Sequence, residues 1–133
     1  MIDIPFHIPN IPKNMEDIFS KSVHSGWLTT GSQVHELENK LTNYLDVKYV
    51  VAVNSCTAAL HLSLAAKGFG LNDKFIFPSL TFASTIECGE YLGMEPVLVD
   101  SSEDGFLIDL NQIEDLIKND QSIKAIIPCL LYT

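Results

Sequence analysis

The sequence contains no arginine. Its 133 residues carry eight lysines against 17 acidic residues, which gives a formal net charge of −9. Nucleic acids and anionic membrane surfaces both attract proteins through a basic patch, so neither partner is expected. A phosphate group bound by this chain must be held by backbone N–H groups, hydroxyls or lysine, because no guanidinium is present to clamp it.

Cysteine is scarce as well, and long apolar runs are missing. The three cysteines are an odd number without zinc-site spacing, and the four histidines show no ligand pattern, so we expect free thiols and no metal site. The N-terminus has no basic segment followed by an apolar one, and no apolar run reaches membrane-spanning length. These absences predict a cytoplasmic protein.

The residues that are present predict an α/β fold. From residue 49 onward, short apolar runs alternate with helical patterns, which is typical of a mostly parallel sheet covered by helices on both faces, in three layers. Two helices precede this region, with Asn14 and Ser32 as predicted N-caps. The predicted strands are the apolar runs YVVAV, EPVLVD and IKAIIPCLL, together with the end of LNDKFIFP.

Hydroxyl side chains follow several of these strands. They lie in the segments 54–57, 78–82 and 100–101. Ligands of open parallel sheets bind at the carboxyl ends of the strands. The stretch Asn54-Ser55-Cys56-Thr57 is therefore expected to face a ligand at the start of a helix.

This helix start has three interpretations. Ser55 or Thr57 could simply cap the helix, which is worth about 1 kcal/mol. The unpaired N–H groups could instead bind a phosphate, with Thr57 adding a hydroxyl and Ala58 leaving room for the anion. Cys56 could be a nucleophile, but His61 lies five residues further on and points roughly 140° away, so no base is paired with the thiol.

Two further residues at strand ends have open interpretations. Phe82 follows the second predicted strand, where a single aromatic side chain belongs to the core or stacks on a planar ligand ring. Asp100 ends the third predicted strand and is interpreted as a turn residue.

Taken in order, five segments carry a resemblance to the N-terminal part of the pyridoxal-phosphate-dependent nucleotide-sugar aminotransferases, the DegT/StrS family. They are SGWLTTG at 25–31, VHELENKLTNYLDVKYVVAVNSCTAALHLSL at 34–64, FIFPSLTFASTIECGEYLGMEPVLVD at 75–100, LIDLNQIEDLIK at 107–118 and KAIIPCLLY at 124–132. The resemblance implies the large domain of a fold type I transferase. It also implies transfer of an amino group from glutamate to a nucleotide-linked keto sugar, for polysaccharide or glycan biosynthesis, by a homodimer.

The resemblance also assigns site residues. Cys56, Thr57 and Ala58 match the helix start that holds the phosphate of pyridoxal 5'-phosphate, and Phe82 matches the aromatic residue that stacks on its ring. The loop near the sugar site, which can face the partner subunit, matches Trp27, Leu28, Thr29 and Thr30. Many members have glycine where this chain has Cys56, a change that backbone binding of phosphate tolerates.

The resemblance covers roughly the first third of such an enzyme. It implies an N-terminal arm, helix and loop at 1–30 and a partial coenzyme-binding large domain at 31–133. Leu130 and Thr133 stand where members often have histidine and glycine. The lysine that binds the coenzyme covalently and the acidic partner of the ring nitrogen lie beyond these residues in the family, so no catalytic residue is assigned here.

Three hypotheses follow for the chain. The first is an aminotransferase fragment that is inactive alone, with an apolar strand at 124–131 that lacks its next neighbours. The second is a non-catalytic module that binds phosphate or pyridoxal phosphate, or one subunit of a split enzyme. The third is a thiol enzyme that uses Cys56.

Overall fold

The structure, a computed structural model, describes residue 5 and residues 8–129. It divides the chain into two units, Met1–Ala52 and Val53–Thr133. The division at 30 and 31 that the resemblance implies stays a prediction. Leu130 and Thr133, the two departures from the family pattern, lie outside the described residues.

The first unit contains two helices, α1 (Met15–His24) and α2 (Ser32–Leu45). Asn14 occupies the N-cap position of α1, but its side chain makes no capping hydrogen bond. The prediction that Ser32 caps α2 is wrong by one residue, because Ser32 is already helical and Gly31 holds the cap position in an extended conformation. Propensity alone does not fix a helix boundary to a single residue.

The second unit contains three helices and three strands. They are α3 (Cys56–Ala66), β1 (Lys74–Pro78), α4 (Ser84–Glu90), β2 (Glu95–Val99), α5 (Leu110–Asn119) and β3 (Ile123–Ile126). The strands form one parallel sheet in the order β2-β1-β3. Of the helices in the described part of the chain, none has the length and apolar character needed to cross a membrane.

Two apolar clusters lie on opposite faces of this sheet. On one face, Leu64 of α3 and Cys88 of α4 pack with Phe75 and Phe77 of β1. On the other face, Ile113 of α5 packs with Ile76 and Val99. Helices therefore cover both faces, and the predicted α/β fold with a parallel sheet is confirmed.

Two predicted elements differ from the structure. The run YVVAV at 49–53 forms no strand within the described residues, and Val51 is 77% exposed. An apolar run forms a strand only where a neighbouring strand supplies hydrogen bonds. The helix predicted from residue 79 begins at Ser84, because the Ser79 amide donates to the Val99 carbonyl and its hydroxyl donates to Asp100.

Candidate functional site

The start of α3 is set by a serine cap. Ser55 has an extended backbone, and its hydroxyl accepts a hydrogen bond from the Ala58 amide at 3.1 Å. The Ala59 amide donates to the Ser55 carbonyl, also at 3.1 Å. The capping interpretation of the helix start is therefore correct for Ser55, and the cap occupies the amide of Ala58.

The amides of Cys56 and Thr57 remain available for a ligand. Neither donates to an acceptor within the described part of the chain, as is usual for the first N–H groups of a helix. Cys56 is exposed and Thr57 is half-buried. Two N–H groups, the positive end of the helix dipole and the Thr57 hydroxyl together form a donor set that suits an anion.

Phe82 lies in the loop between β1 and α4, and 69% of its surface is exposed. The core interpretation of this aromatic residue is therefore wrong. Its neighbour Thr81 is held by a 2.8 Å hydrogen bond from its hydroxyl to that of Thr85, which is fully buried at the start of α4. A ring presented on an anchored loop is free to contact a ligand.

Helices α3 and α4, which follow these two segments, pack directly on each other. The Nδ1 atom of His61 lies 3.2 Å from the Cys88 carbonyl oxygen, and its ring meets that of Tyr91 edge-on at 5.8 Å. His61 is thus engaged with α4 and does not act as a base for Cys56. The thiol-enzyme hypothesis gains no support from this geometry.

The carboxyl ends of the strands are tied together by polar contacts. Asp100, which directly follows β2, accepts hydrogen bonds from the Ser79 hydroxyl at 2.9 Å and the Ser101 amide at 2.7 Å. Its own amide donates to the side chain of Gln112 in α5. Asp100 therefore lies between β2 and an isolated bridge at Ser101 rather than in a turn, and its carboxylate links β1 to the residues that follow β2.

Cys129, which no sequence motif marks as a site residue, follows β3 at the same edge. The neighbouring Thr81 hydroxyl, and then the Phe82 amide and the Thr85 hydroxyl, lower the pKa of the Cys129 thiol, while partial burial opposes this shift. By contrast, burial raises the pKa of the Cys88 thiol. Cys129 lies more than 40 residues from Thr81 and Thr85 in the sequence. No spacing of residues therefore predicts that these three side chains are neighbours.

The loop predicted to lie near the sugar borders a cleft of about 240 Å³ in the first unit. Trp27, Leu28 and Thr29 line this cleft, whereas Thr30 contributes its carbonyl, which accepts a 2.8 Å hydrogen bond from the indole N–H of Trp27. The polar residues around the cleft are Ser22, Ser25, Thr29, Ser32 and Gln33. The first unit thus gathers hydroxyls beside an indole, while residues 56–58 and Phe82 belong to the second unit.

No group of three or more histidine, cysteine or acidic side chains within the described ranges, 5 and 8–129, is arranged to hold a metal ion. The hydrogen-bond donors described above instead form two sites that are not metal sites. One is a helix start that suits a phosphate, at the edge of a parallel α/β sheet, with an exposed aromatic ring on the next loop. The other is the hydroxyl-lined cleft. The fold and the donors at the start of α3 are those of an α/β protein with a helix start that suits a phosphate.

The chain belongs to the DegT/DnrJ/EryC1/StrS aminotransferase family, whose pattern it matches over residues 9–132. It is 37% identical, over 125 residues, to the spore coat polysaccharide biosynthesis protein SpsC of Bacillus subtilis. It superposes with a TM-score of 0.87 on the PLP form of Spr1654 from Streptococcus pneumoniae, a protein assigned as a sugar aminotransferase, at 35% identity. A DegT/DnrJ/EryC1/StrS aminotransferase from Brucella abortus is 37% identical, with a TM-score of 0.75 over 85% of the chain.

The chain spans about a third of the length of these relatives. It covers 32% of the Bacillus subtilis protein, 32% of the Streptococcus pneumoniae structure and 32% of the Brucella abortus structure. Nearly all of this chain is matched, with 94% of its residues aligned to the Bacillus subtilis protein and 96% to the Streptococcus pneumoniae structure. The expected family and the expected α/β fold are confirmed over the matched residues.

Proposed function

We propose that this chain supplies the phosphate-binding site of a pyridoxal-phosphate-dependent aminotransferase that acts on a nucleotide-linked keto sugar, with glutamate as amino donor. This site, called the phosphate seat below, consists of residues 56–58 at the start of α3. The observation that carries the proposal is the start of α3, where the Ser55 cap leaves the amides of Cys56 and Thr57 unpaired within the described residues. The reaction belongs to polysaccharide or glycan biosynthesis by analogy with the relatives. When bound, the coenzyme supplies an electron sink for amino transfer.

The donor set at α3 fits the phosphate group of this coenzyme. Two backbone N–H groups and the Thr57 hydroxyl offer three hydrogen bonds, and the helix dipole favours the negative charge. No arginine is needed, in agreement with the composition. The side chain of Cys56 is exposed and contributes only its backbone, while Ala58 leaves space and donates its amide to Ser55.

Phe82 provides the second contact that we assign to the coenzyme. Its exposed ring can stack on a pyridine ring, because flat aromatic faces attract one another in offset arrangements worth about 1 kcal/mol. The hydrogen bond between Thr81 and Thr85 restricts the loop that carries this ring. We therefore propose that Phe82 orients the coenzyme ring while α3 holds the phosphate.

Three lysines of this chain form ion pairs away from the proposed seat. Lys40 and Lys118 form ion pairs with Glu36 and Glu114 one helical turn earlier. Lys74 pairs with Asp120 at the amino ends of the strands, opposite the site edge. We propose that the lysine that binds the coenzyme covalently lies in the part of the family fold that this chain does not span, so the 133 residues alone do not transfer amino groups.

The hydroxyl-lined cleft in the first unit is the proposed contact with the sugar. Trp27 supplies an apolar face, and Thr29 supplies a hydroxyl at the rim. Sugars are recognised by this combination of an aromatic face and hydrogen-bonding groups. Thr30 fixes the indole through its carbonyl. In the proposed homodimer this loop serves a nucleotide-sugar site shared between subunits.

The phosphate seat is tested by titration of the 133-residue chain with pyridoxine 5'-phosphate, which has the ring and the phosphate but no aldehyde to react with lysine amines. We expect the amide resonances of Cys56 and Thr57 to shift at millimolar ligand or below. A Thr57→Val variant should bind about tenfold more weakly, because a hydrogen bond to a charged group is lost. Ser63→Ala, which removes a hydroxyl further along the same helix, is the matched control and should bind normally.

A second variant separates capping from binding. Ser55→Ala should lower the free energy of unfolding by about 1 kcal/mol and still bind the ligand, because the Ala58 amide then becomes a further donor. The unphosphorylated ring compound, pyridoxine, should leave the Cys56 and Thr57 amides unchanged. If those amides do not respond to pyridoxine 5'-phosphate or to inorganic phosphate, the assignment of the seat is wrong.

A further inference from the structure

Thr85 is a threonine buried in α4. Only 2% of its surface is exposed, and among the residues that the structure describes it is the one polar side chain that is buried. Cys88 and Gly89 are the other buried residues of this helix. Burying a hydroxyl is unfavourable unless the group is hydrogen-bonded, so a position that served packing alone would suit an apolar residue better. The hydroxyl of Thr85 therefore needs a specific partner.

That partner is the loop that carries Phe82. The Thr81 hydroxyl donates to the Thr85 hydroxyl at 2.8 Å, and the Thr85 amide donates to the Phe82 carbonyl at 3.0 Å. One buried residue thus bonds both to the ring-bearing residue and to the residue before it. Because the Thr85 side chain is buried, water does not compete with Thr81 for this contact.

The other end of the loop is fixed to β2. The Ser79 amide donates to the Val99 carbonyl at 2.8 Å, and the Ser79 hydroxyl donates to the Asp100 carboxylate at 2.9 Å. The loop between β1 and α4, residues 79–83, is therefore held at its start by the end of β2 and at its finish by Thr85. The exposed ring of Phe82 lies between these two anchors. A group that is already fixed loses little conformational freedom when it contacts a ligand.

The chain that follows β3 adds a third neighbour to the hydroxyl pair. The Cys129 amide donates to the Ile127 carbonyl at 3.0 Å, which closes a three-residue turn at Pro128. The Cys129 thiol lies beside the hydroxyls of Thr81 and Thr85. The hydroxyl pair is therefore found where the loop, α4 and the residues after β3 meet.

We propose that Thr85 is a positioning residue, whose hydroxyl acts through Thr81 to hold the loop so that the Phe82 ring meets the coenzyme ring in one fixed orientation. Thr85 contacts the loop and not the coenzyme. This role rests on the proposed function, since it requires that Phe82 stacks on the coenzyme ring. It concerns the ring and not the phosphate. Removal of the Thr85 hydroxyl should therefore weaken binding of the ring and leave binding of inorganic phosphate unchanged.

The first test needs no ligand. Backbone order parameters of the 133-residue chain are measured by NMR relaxation. At Thr81 and Phe82 we expect values of about 0.85 in the wild type and below about 0.6 in Thr85→Val, which lacks the hydroxyl. Thr85→Ser keeps the hydroxyl and should keep the wild-type values. Ser84→Ala, which removes a hydroxyl from the preceding residue of α4, is the matched control and should also keep them.

A variant on the loop side keeps this test decisive if Thr85→Val does not fold. Thr81→Val breaks the same hydrogen bond at a half-buried loop position and should give the same loss of order at Phe82. If neither valine variant lowers the order parameter of Phe82 more than Ser84→Ala does, the positioning role of Thr85 is overturned.

The second test separates the ring from the phosphate. Thr85→Val should bind pyridoxine 5'-phosphate about fivefold more weakly than the wild type, the factor that corresponds to one aromatic contact, and should bind inorganic phosphate equally well. Phe82→Ala should show the same loss. The double variant should lose no more than either single variant, because both changes remove one contact. Losses that multiply in the double variant would show that Thr85 acts apart from the ring and would overturn its positioning role.

The two tests also separate this role from the phosphate seat. If the wild-type amides of Cys56 and Thr57 respond to neither ligand, the seat is wrong, and the order parameters measured without ligand decide whether Thr85 holds the loop. If those amides respond while Phe82 stays ordered in Thr85→Val and Thr81→Val, the seat stands and the positioning role is overturned. If the wild type binds pyridoxine 5'-phosphate no more tightly than inorganic phosphate, the ring makes no contact and the role is overturned as well.

Discussion

Gly89 offers a test of how closely α4 packs on the sheet. It is a buried residue inside α4, where alanine would ordinarily stabilise the helix by about 1 kcal/mol. The structure opposes that gain. A Cβ atom built on Gly89 would lie 2.7 Å from both Cδ1 and Cζ of the Phe75 ring and nearer still to Cε1. Real Cβ atoms essentially never approach another heavy atom within 3.0 Å.

The Phe75 ring has no room to move aside. It is fully buried in the central strand, and it packs against Leu64, Cys88 and Met94. Overpacking of a core by one methyl group costs about 1–3 kcal/mol. We place Gly89→Ala in the upper part of this range, because the contact is with a ring in a strand paired on both sides. After the gain in helix propensity, the net loss in unfolding free energy is about 1–2 kcal/mol.

The measurement is urea unfolding of the wild type and of Gly89→Ala, followed by circular dichroism. Gly105→Ala is the control, since a Cβ atom there meets nothing within 4 Å, and it should stay within about 0.5 kcal/mol of wild type. In the Phe75→Leu background, where the ring is gone, Gly89→Ala should be less harmful by about 1 kcal/mol or more. An unfolding free energy of Gly89→Ala equal to or above that of the wild type would refute the steric argument.

Two other predictions concern the strand ends and the cleft. Hydrogen bonding from Ser122, and then the ion pair with Lys74, lower the pKa of Asp120 from 3.8 to about 2, so its stabilising contribution is complete above pH 4 and is lost as the pH falls towards 2. Asp120→Asn should therefore be less stable than wild type at pH 7, and the difference should shrink towards pH 2 in denaturant titrations at each pH. In Gly31→Ala the new Cβ would lie 2.5 Å from the indole Nε1 of Trp27, so the ring must leave its place, and a changed tryptophan fluorescence spectrum with unchanged far-ultraviolet circular dichroism is expected. An identical emission spectrum would show that the cleft does not depend on the contact between the glycine and the indole.

The sequence predicted the sheet best where apolar runs and turn residues agreed. The end of LNDKFIFP forms β1, and EPVLVD and IKAIIPCLL contain β2 and β3, each buried on at least one face by a neighbouring helix. The strands end earlier than the apolar patterns predicted, β2 at Val99 and β3 at Ile126. Asp109 caps α5, because its carboxylate accepts from the amides of Asn111 and Gln112, and the Gln112 side chain donates to the same carboxylate at 3.0 Å. Local patterns fix these features because all the interacting groups lie within one turn or one strand.

The failed predictions depend on tertiary partners. YVVAV has the composition of a buried strand, but strand formation needs a paired neighbour, which a sequence pattern does not supply. The 79–93 pattern is helical by composition, yet hydrogen bonds from Ser79 to β2 delay the start of α4 by five residues. Cys129 approaches Thr81 and Thr85 only because β1 and β3 are adjacent, and no spacing in the sequence encodes that adjacency.

The start of α3 shows why capping and anion binding need not compete. A helix start has several unpaired amides, and one serine hydroxyl satisfies only one of them. Here Ser55 accepts from the Ala58 amide, the third of the helix, so the two amides before it are left without an acceptor among the described residues. The cap also holds Ser55 extended and thereby fixes the direction of those amides before any ligand arrives. Ser55→Ala should therefore weaken the helix more than it weakens phosphate binding, whereas Thr57→Val should do the reverse. Equal losses of both properties in either variant would show that the cap and the seat are a single interaction.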